Sequence, residues 1–149
     1  MAKDPPAMAA EKTAAPNPAR PLPVPDAASR EFFDGAARGQ LMIQKCARCG
    51  SCRIMGEGPC NDCRSPGLEW LRASGRATLV THARMHQRYH PAFYDEVPYL
   101  LVVVELAEGP RMITRLVQAE NTVPKAGMAL TVVFEEAGEG IFLPKFRPA

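Results

Sequence analysis

Two pairs of cysteines, each with two residues between its members, place the strongest constraint on how this chain can fold. Cys46 and Cys49 form the first pair, and Cys60 and Cys63 form the second after a spacer of ten residues. Each pair can direct two sulfurs at one ion from a tight turn, called a knuckle below. Two knuckles complete the tetrahedral thiolate set that structural Zn²⁺ prefers. The spacing therefore predicts a rubredoxin-like zinc ribbon with one structural zinc ion per chain.

The fifth cysteine, Cys52, leaves other arrangements open. It follows Cys49 at knuckle spacing, but the strand-like runs on either side favour Cys46 with Cys49 as the first knuckle. A disulfide framework belongs to oxidising compartments, whereas residues 1–30 show no apolar signal-peptide segment and the cysteine count is odd. We therefore expect a cytoplasmic protein. Ligand type alone also admits iron in the same four thiolates, as in an electron carrier.

The first 25 residues are rich in Pro and Ala and cannot bury enough apolar side chain to offset the entropy of ordering. They predict a disordered tail. A short helix is predicted next, over residues 26–39, since Asp26 can cap its first amides and Gly39 suits the left-handed position after its end. Phe32 and Phe33 on this helix either dock on a partner or cover the core of the chain itself.

Five strand-like segments follow in the last part of the chain, at residues 76–84, 99–106, 111–117, 128–135 and 141–146. Five strands within about 70 residues, with two hairpin turns and one longer connection, indicate a small barrel of the OB type. The predicted fold class is mainly β, with an N-terminal helix and a zinc ribbon followed by a five-stranded OB-fold barrel. The predicted parts are the tail (1–25), a docking helix (26–39), the zinc ribbon (40–75) and the OB-fold (76–149).

Several functional classes lack support in the sequence. The formal net charge of +2, with no basic cluster, argues against a nucleic-acid binder, although OB barrels do bind single strands by aromatic stacking in a positive groove. No apolar run is long enough to span a membrane. Four cysteines leave no open position for catalysis on the metal, and no nucleophile elbow, phosphate loop or dinucleotide fingerprint is present. These absences favour a noncatalytic binding or assembly module.

The connection between the first two barrel strands, residues 86–98, is long and aromatic. Tyr89, Phe93 and Tyr94 make it a candidate for partner contacts, because such loops are often functional. An equal alternative is that it plugs one mouth of the barrel. Histidines recur every four residues at 82, 86 and 90, but in a strand neighbouring members lie about 13 Å apart, which is too far for one ion.

The order of these features resembles a known family, the zinc-ribbon plus OB-fold proteins associated with acyl-CoA and first catalogued as a domain of unknown function. The likeness covers about residues 30–148. It rests on the paired aromatics of the helix, the segment 39–50, the second knuckle, Trp70, Gly75, the segments 97–99, 105–111 and 126–128, and the ending 143–146. In place of the usual proline-bearing link between the knuckles, this chain has Cys52 and the segment 55–58. The resemblance therefore does not predict which residues that loop contacts.

The resemblance implies an accessory subunit of a thiolase-like enzyme, either a retro-aldolase, including those that shorten steroid side chains, or an acyltransferase. Such a subunit carries no nucleophile; it stabilises its partner and helps to shape the acyl-CoA site within a heterotetramer or larger complex. Candidates for contacts with the CoA phosphates are four cations, chosen because cations bind phosphate: Arg111, Arg115, Lys145 and Arg147.

Overall fold

The computed structural model describes residues 19–149 and has the predicted fold class, with one N-terminal α-helix, a small ribbon sheet and a five-stranded barrel. The predicted tail lies mostly outside the described residues, at 1–18. In chain order the elements are α1 (Arg30–Ala37), β1 (Met42–Cys46), β2 (Cys52–Arg53), β3 (Leu68–Arg72), β4 (Arg76–Met85), the 3-10 helix η1 (Pro91–Glu96), β5 (Tyr99–Leu106), β6 (Arg111–Leu116), β7 (Ala129–Gly138) and β8 (Ile141–Pro148).

The barrel closes in the order β4-β5-β6-β8-β7, with β7 returning to pair with β4. All neighbouring strands are antiparallel except β6 and β8, which run parallel where Leu116 meets Phe146. Alternate residues along each strand point into the barrel, as a period of two requires. The buried interior contains Leu79, Val102, Val104, Leu106, Leu116, Leu130 and Phe146.

The ribbon sheet has the order β2-β1-β3, with β1 in the centre and both pairings antiparallel. It shares one hydrophobic cluster with the barrel, because Leu41, Ile43 and Ala73 are buried together with the barrel interior. The Ser74 amide donates to the Glu108 carboxylate at 2.7 Å, which ties the end of the ribbon to the β5–β6 hairpin. Helix, ribbon and barrel therefore pack around one core.

Helix α1 is shorter than the predicted 26–39 segment. Asp26 to Ser29 form a turn instead, in which the Asp26 carboxylate accepts from the Ser29 amide at 2.9 Å and the Ser29 hydroxyl at 2.6 Å. These hydrogen bonds hold the pKa of Asp26 below its usual value. At the other end Gly39 has the expected left-handed φ of 72°, and the Gln40 amide reaches back to the Gly35 carbonyl at 2.8 Å. Local capping thus favours this turn over an earlier helix start.

The same helix packs closely on β1. A Cβ at Gly35 would lie 2.3 Å from Cγ of Met42, so glycine is required for this approach despite its low helix propensity. Phe32 is only 5% exposed and belongs to the core cluster, and Phe33 packs half-buried against it. For Phe32, this burial favours the second of its two predicted roles, which is to cover the core of the chain itself.

Residues 19–25, the described part of the predicted tail, form no helix or strand. Arg20 forms an ion pair with Glu96 of η1, and its guanidinium lies 4.8 Å from the centre of the Phe93 ring. No helix formed by residues 19–149 is both long and apolar enough to cross a membrane.

Candidate metal centre and the adjoining groove

The two cysteine pairs form knuckles of matching backbone geometry. In the first, the Gly50 amide donates to the Cys46 carbonyl at 2.9 Å, and the Cys46 amide donates to the Ser51 carbonyl at 2.8 Å. The second repeats the pattern: the Arg64 amide donates to the Cys60 carbonyl at 3.0 Å, and the Cys60 amide donates to the carbonyl of residue 65 at 2.8 Å. Both turns need a residue with positive φ, and the chain supplies Gly50 at 76° and Arg64 at 60°.

The four knuckle sulfurs converge on one point. All four Sγ atoms lie within 4.8 Å of one another, and Cys46–Cys63 and Cys49–Cys60 are each separated by 3.6 Å. Tetrahedral Zn²⁺ with bonds of about 2.3 Å requires sulfurs about 3.8 Å apart, whereas a disulfide requires about 2 Å. The structure therefore brings together the four residues predicted as ligands in an arrangement that could hold a metal ion.

Backbone amides prepare two of these sulfurs to be thiolates. The Cys49 amide is the main group that lowers the pKa of Cys46 to about 6, and the Cys63 amide does the same for Cys60, whose pKa is also lowered. For Cys49, the Ser51 amide favours the thiolate, but the neighbouring Cys63 sulfur, burial and the other thiols raise its pKa to about 12. A cation bound by the four sulfurs would offset the repulsion between neighbouring thiolates, so that all four cysteines could be deprotonated, as metal binding requires.

Cys52, the alternative ligand, lies outside the cluster. It belongs to β2, its Sγ points at the Gly50 carbonyl at 3.7 Å, and its side chain packs against the hydrophobic core. Within residues 19–149, the four knuckle cysteines are the only group of metal-binding side chains that converge. The histidines at 82 and 86 are exposed on and just after β4, and His90 instead accepts the Ala92 amide at 3.1 Å.

Arg53 organises the loop between the knuckles, whose contacts the sequence left open. Its guanidinium donates to the carbonyls of Gly56, Gly58 and Pro59 at 2.9, 3.0 and 3.2 Å. A further bond, at 2.6 Å, joins its Nε to the side chain of Gln44, which is buried in β1. One arginine thus binds three loop carbonyls to the central strand of the ribbon and fixes the path of the loop between the knuckles.

A groove of about 700 Å³, called the β6–β8 groove below, opens beside this loop. One wall is formed by α1 and the loop after β2, with Phe33 and Met55; the other wall is the outward face of β5, β6 and β8, with Leu101, Ile113 and Leu143. These three point outward because their strand neighbours fill the barrel interior. Met55 is 39% exposed and Ile113 is 69% exposed, so the lining is apolar and open.

Among residues 19–149, the charged side chains that line the groove are all cationic: Arg20, Arg111, Arg115 and Lys145. Lys145 pairs with Glu135, and Arg111 pairs with Glu105, each at 2.7 Å. Arg20 and Arg115, in contrast, share the single carboxylate of Glu96. Burial opposes ionisation of this carboxylate, but the two arginines prevail and hold the pKa of Glu96 below its usual value. The end of the groove therefore keeps one positive charge in excess.

Aromatic rings hold these two arginines in place. The Arg115 guanidinium lies 3.8 Å from the centre of the Tyr99 ring and 5.9 Å from that of the Phe93 ring. The Arg20 guanidinium lies 4.8 Å from the centre of the same Phe93 ring. The half-buried ring of Phe93 therefore supports both arginine side chains. Its predicted loop companions Tyr89 and Tyr94 are exposed by 73% and 38%.

The structure places three of the four candidate phosphate contacts in one groove and the fourth, Arg147, exposed further along β8. Arg111, Arg115 and Lys145 each already have a carboxylate partner, so none of the three is a free cation. Sequence reasoning missed Arg53, Ile113 and Met55. The only signal in the sequence was that Ile113 is apolar, although it alternates along β6 with Arg111 and Arg115 on the outward face.

Comparison with known proteins gives matches along most of the chain. The family model described as the C-terminal OB-fold domain of ChsH2 matches residues 70–135. A chain of the solved Ltp2-ChsH2(DUF35) aldolase is 33% identical, with a TM-score of 0.74; the match covers 85% of this chain and 98% of that one.

Two curated relatives extend the comparison. The DUF35 domain-containing scaffold protein of Methanothermobacter thermautotrophicus is 30% identical over 118 residues, which are 74% of this chain and 88% of that protein. The probable enoyl-CoA hydratase alpha subunit of Thermomonospora curvata is 34% identical over 134 residues, or 90% of this chain. This chain spans 41% of that relative, about two fifths of its length.

Proposed function

Since the chain belongs to the DUF35 family, we propose that it is a noncatalytic accessory subunit of a thiolase-like acyl-CoA enzyme. The observation that carries the proposal is the fold shared with a chain of the Ltp2-ChsH2(DUF35) aldolase, which extends over nearly the whole of that chain. A relative named as a scaffold protein supports the same role. On this proposal, retro-aldol cleavage, of a steroid side chain for example, or acyl transfer takes place in the active site of the partner.

The metal of this subunit is proposed to be one structural zinc ion held by Cys46, Cys49, Cys60 and Cys63. Four thiolates leave the ion without an open position, so it contributes folding energy and no catalytic step. The fit rests on the converging sulfurs and on the backbone amides that favour the thiolate at two of them. Iron in the same site would give a coloured protein, whereas zinc would leave it colourless.

Contacts with the partner are proposed for the surface that surrounds η1. Tyr89 and Tyr94 are large aromatic side chains with exposed rings, the kind that carries binding energy in protein interfaces. Phe93 acts indirectly, since its ring supports Arg20 and Arg115. Contacts of Arg111, Arg115 or Lys145 with CoA phosphates would require release from their carboxylate partners. The exposed Arg147 forms no ion pair with a carboxylate of residues 19–149.

Purification of the tagged full-length chain from its native host, at moderate salt and with identification by mass spectrometry, tests the accessory role. We expect a stoichiometric thiolase-like subunit, a heterotetramer or larger complex in the cytoplasmic fraction, and one zinc ion per chain by elemental analysis. The isolated chain should be inactive on acyl-CoA thioesters. The complex should cleave or form a carbon–carbon bond, and removal of this chain should reduce that activity or the stability of the partner.

Recovery of the chain alone would refute the accessory role. Recovery with nuclease-sensitive nucleic acid would support the alternative, a single-stranded nucleic-acid binder with the same ribbon and barrel. That binder would lose affinity steeply as salt increases, because counterion release drives such binding. A protein–protein complex held by apolar contacts would show a much weaker dependence on salt.

A further inference from the structure

The β6–β8 groove combines two properties that together specify its occupant. The first is an open apolar lining, to which Phe33, Met55 and Ile113 contribute side chains from three separate elements. Ile113 lies on β6, the middle one of the three barrel strands that line the groove, and is 69% exposed. Contiguous exposed apolar surface of this kind marks an interaction site more often than chance, because it is unfavourable in water.

The second property is the sign and the amount of its charge. Within residues 19–149, no carboxylate side chain lines the groove, whereas four cationic side chains do. Since Lys145 and Arg111 are each neutralised by their own glutamate, the excess comes from Arg20 and Arg115, which share Glu96. The groove therefore offers an apolar lining and, at one end, about one uncompensated positive charge on arginines that aromatic rings already orient.

We propose that the β6–β8 groove receives an apolar segment of the enzyme subunit that brings one carboxylate to Arg20 and Arg115. This inference rests on the proposed accessory role and specifies the surface through which that role is exercised. One excess charge suits one Asp or Glu side chain, whereas the phosphates of CoA carry several negative charges and would leave most of them unpaired. The open lining of the groove, with its exposed aliphatic side chains, likewise suits the apolar side chains of a protein segment.

A pair of matched substitutions tests the apolar part. Ile113→Asp places a charge on the lining of the groove, and Val123→Asp places the same charge on a side chain that is 72% exposed in the β6–β7 connection, outside the groove. Both full-length, zinc-loaded variants should fold, since neither side chain is buried. We expect Ile113→Asp to weaken binding to the purified enzyme subunit at least about tenfold, as at the centre of an interface, and Val123→Asp to leave it within about twofold.

The charge is tested separately. Arg20→Gln should weaken binding several-fold and reduce its dependence on ionic strength, because one attractive charge pair is removed. Arg72→Gln, an exposed arginine on β3, serves as the control and should change neither quantity. A photo-crosslinking amino acid at position 113 should then label a segment of the enzyme subunit that is apolar and contains Asp or Glu.

The outcomes separate this inference from the accessory role. If the wild-type chain binds no enzyme subunit, the accessory role fails and the groove assignment fails with it. If the wild-type chain binds and Ile113→Asp binds equally well, the accessory role stands and the groove assignment alone is overturned. Crosslinks from position 113 to residues 1–18 of the same chain, to a second copy, or to added acyl-CoA in place of the enzyme subunit would also overturn it.

Discussion

Replacement of Phe32 by Ala should destabilise the whole chain, although the residue belongs to a short helix at the edge of the fold. The ring is 5% exposed and lies in the same buried cluster as Leu41 and Ile43 of the ribbon. It also contacts the edge of the Phe33 ring, with centroids 5.3 Å apart. Loss of the ring would therefore open a cavity where helix, ribbon and barrel meet.

The size of the effect follows from the area that the ring removes from water. A buried Phe covers about 150–250 Å², which at about 25 cal/mol per Å² corresponds to about 4–6 kcal/mol as an upper bound. Measured Phe→Ala changes in cores cost about 3–5 kcal/mol. Because an eight-residue helix can shift to fill part of the cavity, we expect about 3 kcal/mol for Phe32→Ala. The half-buried Phe33 should lose about half as much.

Urea unfolding of the zinc-loaded chain, followed by the fluorescence of its single tryptophan, Trp70, measures this difference. With a slope of about 1–3 kcal/mol per molar urea, a loss of 3 kcal/mol lowers the midpoint by about 1–3 M. A loss below about 1 kcal/mol for Phe32→Ala, or a larger loss for Phe33→Ala, would refute the assignment of Phe32 to the core. Its docking role would then return to consideration.

Three further predictions concern the metal, a close contact and pH. Cys60→Ser should lose both bound metal and solubility, since the binding energy of a structural ion is folding energy, whereas serine at the fifth cysteine should retain metal by elemental analysis. Gly75→Ala should lower the urea midpoint by more than Gly109→Ala, because its Cβ would meet a Val132 methyl at 2.7 Å while the other site is open and both have positive φ. Burial opposes ionisation of Glu96, but two arginines lower its pKa below the usual value. Its contribution to stability is therefore complete above pH about 4.5 and disappears as the pH falls through the folded-state pKa. In unfolding curves measured at pH 7 and below, the stability difference between wild type and Glu96→Gln should decrease over the same range.

Features set by neighbouring residues were predictable from the sequence. A knuckle is a local turn, so the spacing of Cys46 and Cys49, followed by Gly50, was sufficient to locate it. The barrel strands follow from alternating apolar residues, and the order of five strands with two hairpins leaves few closed arrangements. The predicted segments 99–106 and 141–146 accordingly overlap β5 and β8 almost completely.

Features that depend on individual side-chain hydrogen bonds or on the packing of one element against another were not predictable in this way. The helix was predicted too long because Asp26 was taken as its N-terminal cap. The sequence does not show that the Asp26 carboxylate instead accepts the Ser29 amide in a turn that precedes the helix. The role of Arg53 depends on the loop folding back over it, so that three carbonyls meet one guanidinium. Ile113 and Met55 line one groove only after the ribbon has packed on the barrel. A single strand pattern contains none of these relations.

The metal cluster and the β6–β8 groove are linked through the loop between the knuckles. Met55 lines the groove, yet it lies in a spacer whose two ends are Cys49 and Cys60, and Arg53 binds the middle of that spacer to the ribbon. A loop fixed at both ends by one cluster loses far less entropy when a partner binds than a free loop of the same length would. The proposed zinc ion would therefore serve docking as well as folding, since it holds one wall of the groove in the conformation that the partner meets.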